Sequence, residues 1–248
     1  MNQILEDLLY ERWPELYRGR SEPITQNLMA FGFECEAGWY DLLDALSGVL
    51  TEHADACGRG SPKVTQVKEK YGTLRYYVWA TDEFDDGSIA MAEELSGRIC
   101  EVSGAPGRLH RRGGWYRTLS PQVALESGYP PIEVDKTEPM APVPGEAAAR
   151  ILRERWPLVI VGDVDIPAGW VDIVDALASR LSRRGYLSSR PPVPIQQVRM
   201  MEGRLVVEVE RSDQSAKGAI AMAVAMAGRT DRETGCSSPP RLPDEEPR

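Results

Sequence analysis

A chain of 248 residues is long for one small domain and comfortable for two. With 42% hydrophobic and 27% charged residues it fits a globular protein, and no apolar run reaches the roughly 18–20 residues needed to span a bilayer. The formal net charge of −9 argues against non-specific nucleic-acid binding, which needs cationic side chains to displace counterions from phosphates, and suits a basic partner.

The first thirteen residues mix acidic with apolar side chains and lack a basic leader region, so they do not read as a signal peptide, and a cytoplasmic location is expected. A short helix is predicted over residues 4–17. Trp39, Leu42, Leu43, Leu46, Val49 and Leu50 then recur at helical spacing. Val64, Val67, Leu74, Tyr76 and Val78 alternate as in two short strands, with Gly72 as their turn. A second helix is predicted from about residue 86 to 99.

The same series returns later in the chain. Glu11-Arg12-Trp13-Pro14 recurs as Glu154-Arg155-Trp156-Pro157, and Ala37-Gly38-Trp39 as Ala168-Gly169-Trp170. From the second anchor the offset stays at 131 without a gap. Gly72-x-Leu74 matches Gly203-x-Leu205, and Gly87-x-Ile89-Ala90-Met91-Ala92 matches Gly218-x-Ile220-Ala221-Met222-Ala223. About a third of positions 37–98 are identical to their counterparts, which marks a tandem repeat. The fold class is therefore α+β: a helix-strand-strand-helix unit present twice. A two-stranded hairpin is marginal alone, so the copies should pack together as a pseudo-twofold pair. The expected organisation is a first repeat at 1–129, a Pro-rich extended linker at 130–145, a second repeat at 146–236 and a flexible tail at 237–248.

The turn Cys100-Glu101-Val102-Ser103-Gly104-Ala105-Pro106-Gly107 follows the second helix of copy one. Together with Gly38-Trp39-x-x-Leu42-x-Asp44-x-Leu46 and Val67-Lys68-Glu69-Lys70-x-Gly72-x-Leu74-Arg75, it resembles a family of small bacterial and phage proteins. These carry a zinc-ribbon-like C-E-x-C-G-x-P-G turn, a following G-W, and a further C-x-x-H. The resemblance covers about residues 28–123 and implies no activity. It would place four metal ligands at positions 100, 103, 120 and 123, but Cys100 alone survives, with Ser103, Ser120 and Val123 in the other places. A structural zinc needs four ligands, so no metal and no cofactor is expected, and the ribbon should hold by packing. Cys236 is read as the second copy's counterpart of position 103, and all four cysteines as free thiols.

Asp82, Glu83, Asp85 and Asp86 form the densest acidic run. It reads as a helix N-cap or as a surface that docks on a basic cleft. Residues 1–131 hold 13 Lys and Arg against 20 Asp and Glu, whereas the rest hold 16 against 18, so the first copy should meet a basic partner. Trp13, Trp39, Trp156 and Trp170 repeat and are expected in the core. Trp79 and Trp115 do not repeat and are expected as exposed contacts. His53 and Cys57 share a helix face, but no orienting acid is evident in the sequence, so no catalytic residue is assigned. The expected function is a non-catalytic binding protein, an immunity protein that neutralises a cognate toxin with a basic surface, such as a nuclease. The alternative is a phage-derived or regulatory interaction module. Neither reading involves direct contact with nucleic acid or membrane.

Overall fold

The computed structural model describes residues 1–130, 138–183 and 191–237. The linker segment 131–137 and the tail beyond 237 lie outside the described residues.

The chain is α+β, and among the described residues its strands form three small sheets. The first half runs α1 (Gln3–Arg12), β1 (Phe33–Glu34), α2 (Tyr40–Ala56), β2 (Lys63–Lys70), β3 (Thr73–Trp79) and α3 (Glu83–Ser96). A hairpin of β4 (Arg108–Arg112) and β5 (Trp115–Leu119) follows, then α4 (Pro121–Glu126). The second half runs α5 (Gly145–Arg155), β6 (Ile160–Asp165), α6 (Val171–Ser182), β7 (Ile195–Met201), β8 (Arg204–Val209) and α7 (Gln214–Ala227).

Both halves build a three-stranded sheet in the same way. β1 pairs in parallel with β2 and β6 with β7, while β2–β3 and β7–β8 are antiparallel hairpins. The register shifts at the same place in both hairpins, between Val64 and Gln66 and between Ile195 and Gln197. The hairpin turns are two-residue turns with positive φ at both positions, 56° and 83° at Tyr71 and Gly72, 49° and 80° at Glu202 and Gly203. That twist matches the strands, and glycine takes the second position at no steric cost. The strands β1 and β6 are an addition to the predicted unit. β1 has only two residues, which leave no alternation to read, whereas β6 has six.

The four repeated tryptophans are inside or at the core edge. Trp39 and Trp170 are fully buried and donate Nε1–H to the carbonyls of Ile99 and Thr230, at 2.9 and 3.3 Å. Trp13 and Trp156 are half-buried and donate to Asp44 and Asp175, at 2.8 and 2.7 Å.

The halves share one core, and their contacts are reciprocal. Helices α3 and α7 cross so closely that a Cβ on Gly87 would fall 2.0 Å from the Ser215 carbonyl oxygen, and one on Gly218 would fall 2.0 Å from that of Phe84. Arg98 of the first half reaches Asp175 of the second at 2.7 Å, and Arg229 of the second reaches Asp44 of the first at 2.8 Å. Every partner in these pairs stands 131 residues from its counterpart, which is what a pseudo-twofold axis between the halves requires.

The described end of the Pro-rich segment packs against both halves. Val143 N–H donates to the Ala168 carbonyl at 3.0 Å, and Ala141 N–H to Asp172 at 3.2 Å. Arg108 of the ribbon binds both Asp172, at 2.7 Å, and the Pro139 carbonyl. The segment is thus strapped to both halves by a buried ion pair.

The turn after α3 recurs after α7. A bridge joins Ile99 to Pro106 and another joins Thr230 to Ser237. Cys236 therefore stands where Ala105 stands, not at the place of Ser103 as expected. No disulfide forms: Cys35 and Cys100 are buried, Cys57 is exposed and Cys236 partly so. Cys100, Leu119 and Ala124 make a small separate core, with Val123 and Tyr129 packed on it. Ser120 caps α4, its hydroxyl accepting the Val123 N–H at 3.4 Å. Three of the four ribbon ligand positions thus hold a buried thiol, a capping hydroxyl and an apolar side chain. His110 is also buried, with Nδ1 2.8 Å from the Arg108 carbonyl.

Candidate functional site

The acidic run is placed first as a helix cap. Asp82 Oδ1 accepts the N–H of Phe84 and of Asp85, at 2.9 and 3.0 Å, and Asp85 Oδ2 accepts the Asp82 N–H at 3.2 Å. This is a reciprocal capping box at the start of α3. Burial pushes Asp82 up, but the hydrogen bonds from Asp85 N–H and His53 outweigh it and hold the carboxyl below its ordinary range. Asp85 is fully buried and bound by Arg59, so it is not part of an outer face; this corrects its assignment as a partner contact. Glu83 and Asp86 are exposed on the first turn. Trp79 is 63% exposed at the end of β3, with Lys63 Nζ 5.3 Å above its ring.

The orienting acid that the sequence did not reveal for His53 is Asp82 itself. Its Oδ2 lies 2.8 Å from His53 Nε2, and His53 stacks on Phe84 with centroids 3.9 Å apart. Cys57 Sγ lies 3.8 Å from both ring nitrogens. A sulfur equidistant from both nitrogens lies along neither N–H direction, so the three groups do not line up as a nucleophile–base–acid relay in this geometry.

A second acidic place is a true concavity. A cleft of about 410 Å³ opens between the first sheet and the ribbon, lined by Glu34, Glu36, Glu69, Glu101, Trp115, Tyr116, Arg117 and Tyr129, among others. Its carboxyls come from distant parts of the sequence. Glu34 is on β1, Glu69 at the end of β2, and Glu101 in the turn after α3. That turn is held against the start of α2: Gly38 N–H donates to the Glu101 carbonyl at 2.8 Å, and Glu101 N–H to the Thr118 carbonyl at 3.0 Å. A Cβ at Gly38 would fall 2.3 Å from the Cys100 carbonyl oxygen, so glycine is needed for this approach. The ribbon docks on the β2–β3 turn through Thr118 Oγ1, which donates to the Gly72 carbonyl at 2.6 Å.

Four carboxyls line this cleft, and two of them, Glu101 and Glu36, pair with Arg117. Arg117 binds Glu101 Oε1 through Nε and lies 3.5 Å from Glu36 through Nη2. Glu101 is only 2% exposed, and its Oε2 has no hydrogen-bond partner. At the rim, Trp115 is 75% exposed and Tyr71 meets Tyr116 edge-on at 6.2 Å. Carboxylates beside exposed aromatic faces suit an incoming ammonium or guanidinium, which gains from both. Of the predicted contacts, Trp115 belongs to this cleft.

Burial pushes Glu101 up to about 7, against the pull of Arg117. A raised carboxyl pKa means that the folded chain holds the proton more tightly than the unfolded one. This contribution to stability is complete below the ordinary carboxyl range and is lost as pH rises through about 7. Wild-type stability should therefore fall relative to Glu101→Gln between pH 5 and 8, by up to about 3 kcal/mol. Chemical denaturation of both proteins at several pH values checks this. The same pH slope in both would show that Glu101 does not titrate in that window.

Among the described residues no helix is long and apolar enough to cross a membrane. No protein-family model, no curated protein and no solved structure matches this chain.

Proposed function

We propose that the protein acts by binding, and that its partner is a protein that inserts a lysine or arginine side chain into the acidic cleft of the first half. The observation that carries this reading is the cleft itself: it is lined by four carboxyls, only two of which pair with Arg117, beside an exposed tryptophan. Clefts of one charge sign raise association rates with partners of the opposite sign. Within this reading, the partner class that fits best is a toxin with a basic working surface, and the protein is its immunity protein, which covers that surface. Net charge is concentrated in the half that holds the cleft, in agreement with this.

The test is capture of partners on the tagged full chain from its own cells, with mass spectrometry and a salt series. A single basic protein held near one-to-one, and released as salt rises, is the expected result. Recovery of an acidic or neutral partner, held equally at high salt, would contradict it.

A further inference from the structure

The cluster around the α3 cap has the composition and shape of a cation site that the binding function does not use. His53, Asp82 and Asp85 each offer a ligand atom, and these atoms lie within 4.8 Å of one another. They are held before any ion arrives. Asp82 and Asp85 are fixed by the capping box, and the His53 ring by its stack on Phe84. Asp82 spends Oδ1 on the helix N–H groups, which leaves Oδ2 turned to His53. Asp85 is fully buried, and its Oδ1 has no hydrogen-bond partner. A buried carboxylate oxygen without a donor is costly unless a cation completes it.

We propose that His53, Asp82 and Asp85 bind a divalent transition-metal ion, zinc first among them. One imidazole nitrogen and two carboxylates suit a borderline cation better than calcium or magnesium, which take oxygen ligands. Tetrahedral zinc at its usual bond lengths separates ligand atoms by about 3.4 Å, so His53 and Asp82, now 2.8 Å apart, would open by about half an ångström. Cys57, one helical turn after His53, is exposed and 3.8 Å from the ring.

Arg59 is the group that stands in the way. Its Nη2 pairs with Asp85 and lies 3.4 Å from Asp82, so the guanidinium now supplies the positive charge. It sits on a long stem in the loop after α2 and is partly exposed, and the metal would displace it outward. The site belongs to the first half alone: 131 residues on, Ala216 stands in the place of Asp85.

The experiment is titration of metal-free full-length protein with zinc, followed by calorimetry and by thermal melting, for wild type, His53→Ala and Arg59→Ala. Wild type should take up one equivalent and melt higher with zinc than without. Arg59→Ala, freed of the competing cation, should bind at least about tenfold tighter, and His53→Ala about a hundredfold more weakly. Melting without metal shows that each variant folds. Equal uptake by His53→Ala, or no uptake by wild type and Arg59→Ala alike, would overturn the site and leave the cluster a helix clamp.

Discussion

Asp175→Ala should be the most damaging single substitution in the chain, with a loss of about 3–5 kcal/mol. Asp175 is fully buried at the centre of the seam. One oxygen accepts Arg98 Nε and Nη2 from the other half, at 3.2 and 2.7 Å, and the other accepts Trp156 Nε1 at 2.7 Å. Arg155 Nε lies 3.2 Å away. Alanine would remove the nearest carboxylate from the buried Arg98 guanidinium, leaving Glu94 and Glu138 at 3.2 and 3.7 Å, and would leave the Trp156 indole N–H without its acceptor; removing one partner of a buried pair costs more than the pair itself is worth. For a chain of this size the melting temperature should fall by roughly 10 °C. The reciprocal change, Asp44→Ala, should cost less, because Arg12 and Arg229 keep more contact with water than Arg98 does. Thermal melting of the two variants tests both the magnitude and the order. An unchanged melting temperature for Asp175→Ala would mean that the seam does not hold the halves.

Gly87→Ala carries the second large effect, and here the sign is informative. In an ordinary helix interior this change stabilises by about 1 kcal/mol, because glycine is a poor helix former. At Gly87 the new methyl group would sit 2.0 Å from the Ser215 carbonyl oxygen, which is backbone and cannot turn aside. The helices α3 and α7 must part, and every pair along the seam loosens with them. A net loss of about 3 kcal/mol is expected, at the upper end of what overpacking costs. Gly218→Ala should behave alike, since its methyl group meets the Phe84 carbonyl oxygen at the same distance. The two changes act on one crossing, so the double variant should lose less than the sum. Denaturant unfolding of the three variants measures this. A gain in stability for either single variant would show that the helices are not in contact there.

The helices and hairpins were legible because their periods differ and each pattern is present twice, so errors in one copy are corrected by the other. The expected second helix, from about residue 86, begins at Glu83 because Asp82 and Asp85 cap it, and the same cap position is held by Asp213 before α7. The strands β1 and β6 were not legible. They join by parallel pairing to a strand about 35 residues away, and nothing local records that partner. The packing of Pro139 and Ala141 was equally hidden, since it depends on Arg108 meeting Asp172 across the seam.

The candidate site was legible only in part. Trp115 stood out because it has no counterpart in the second copy, and the structure places it on the cleft rim. The acidic run drew attention by its density, yet density in sequence is what a capped helix start also produces. The cleft's carboxyls are scattered from Glu34 to Glu101, and only the sheet pairing and the docked ribbon bring them together. Asp82 as the partner of His53 was invisible for the same reason, 29 residues of separation with no shared element.

The measurement that bears most directly on the cleft as the working surface is the affinity of the captured partner for two variants. Trp115→Ala truncates the exposed ring at the cleft, and Asp86→Lys reverses an exposed charge on the acidic run. If the cleft binds the partner, Trp115→Ala should weaken the complex at least about tenfold, as loss of an aromatic anchor does, with no change in melting temperature. Asp86→Lys should then act mildly and mainly on the association rate. The reverse pattern, full affinity for Trp115→Ala and a collapse for Asp86→Lys, would contradict the cleft and move the contact to the start of α3.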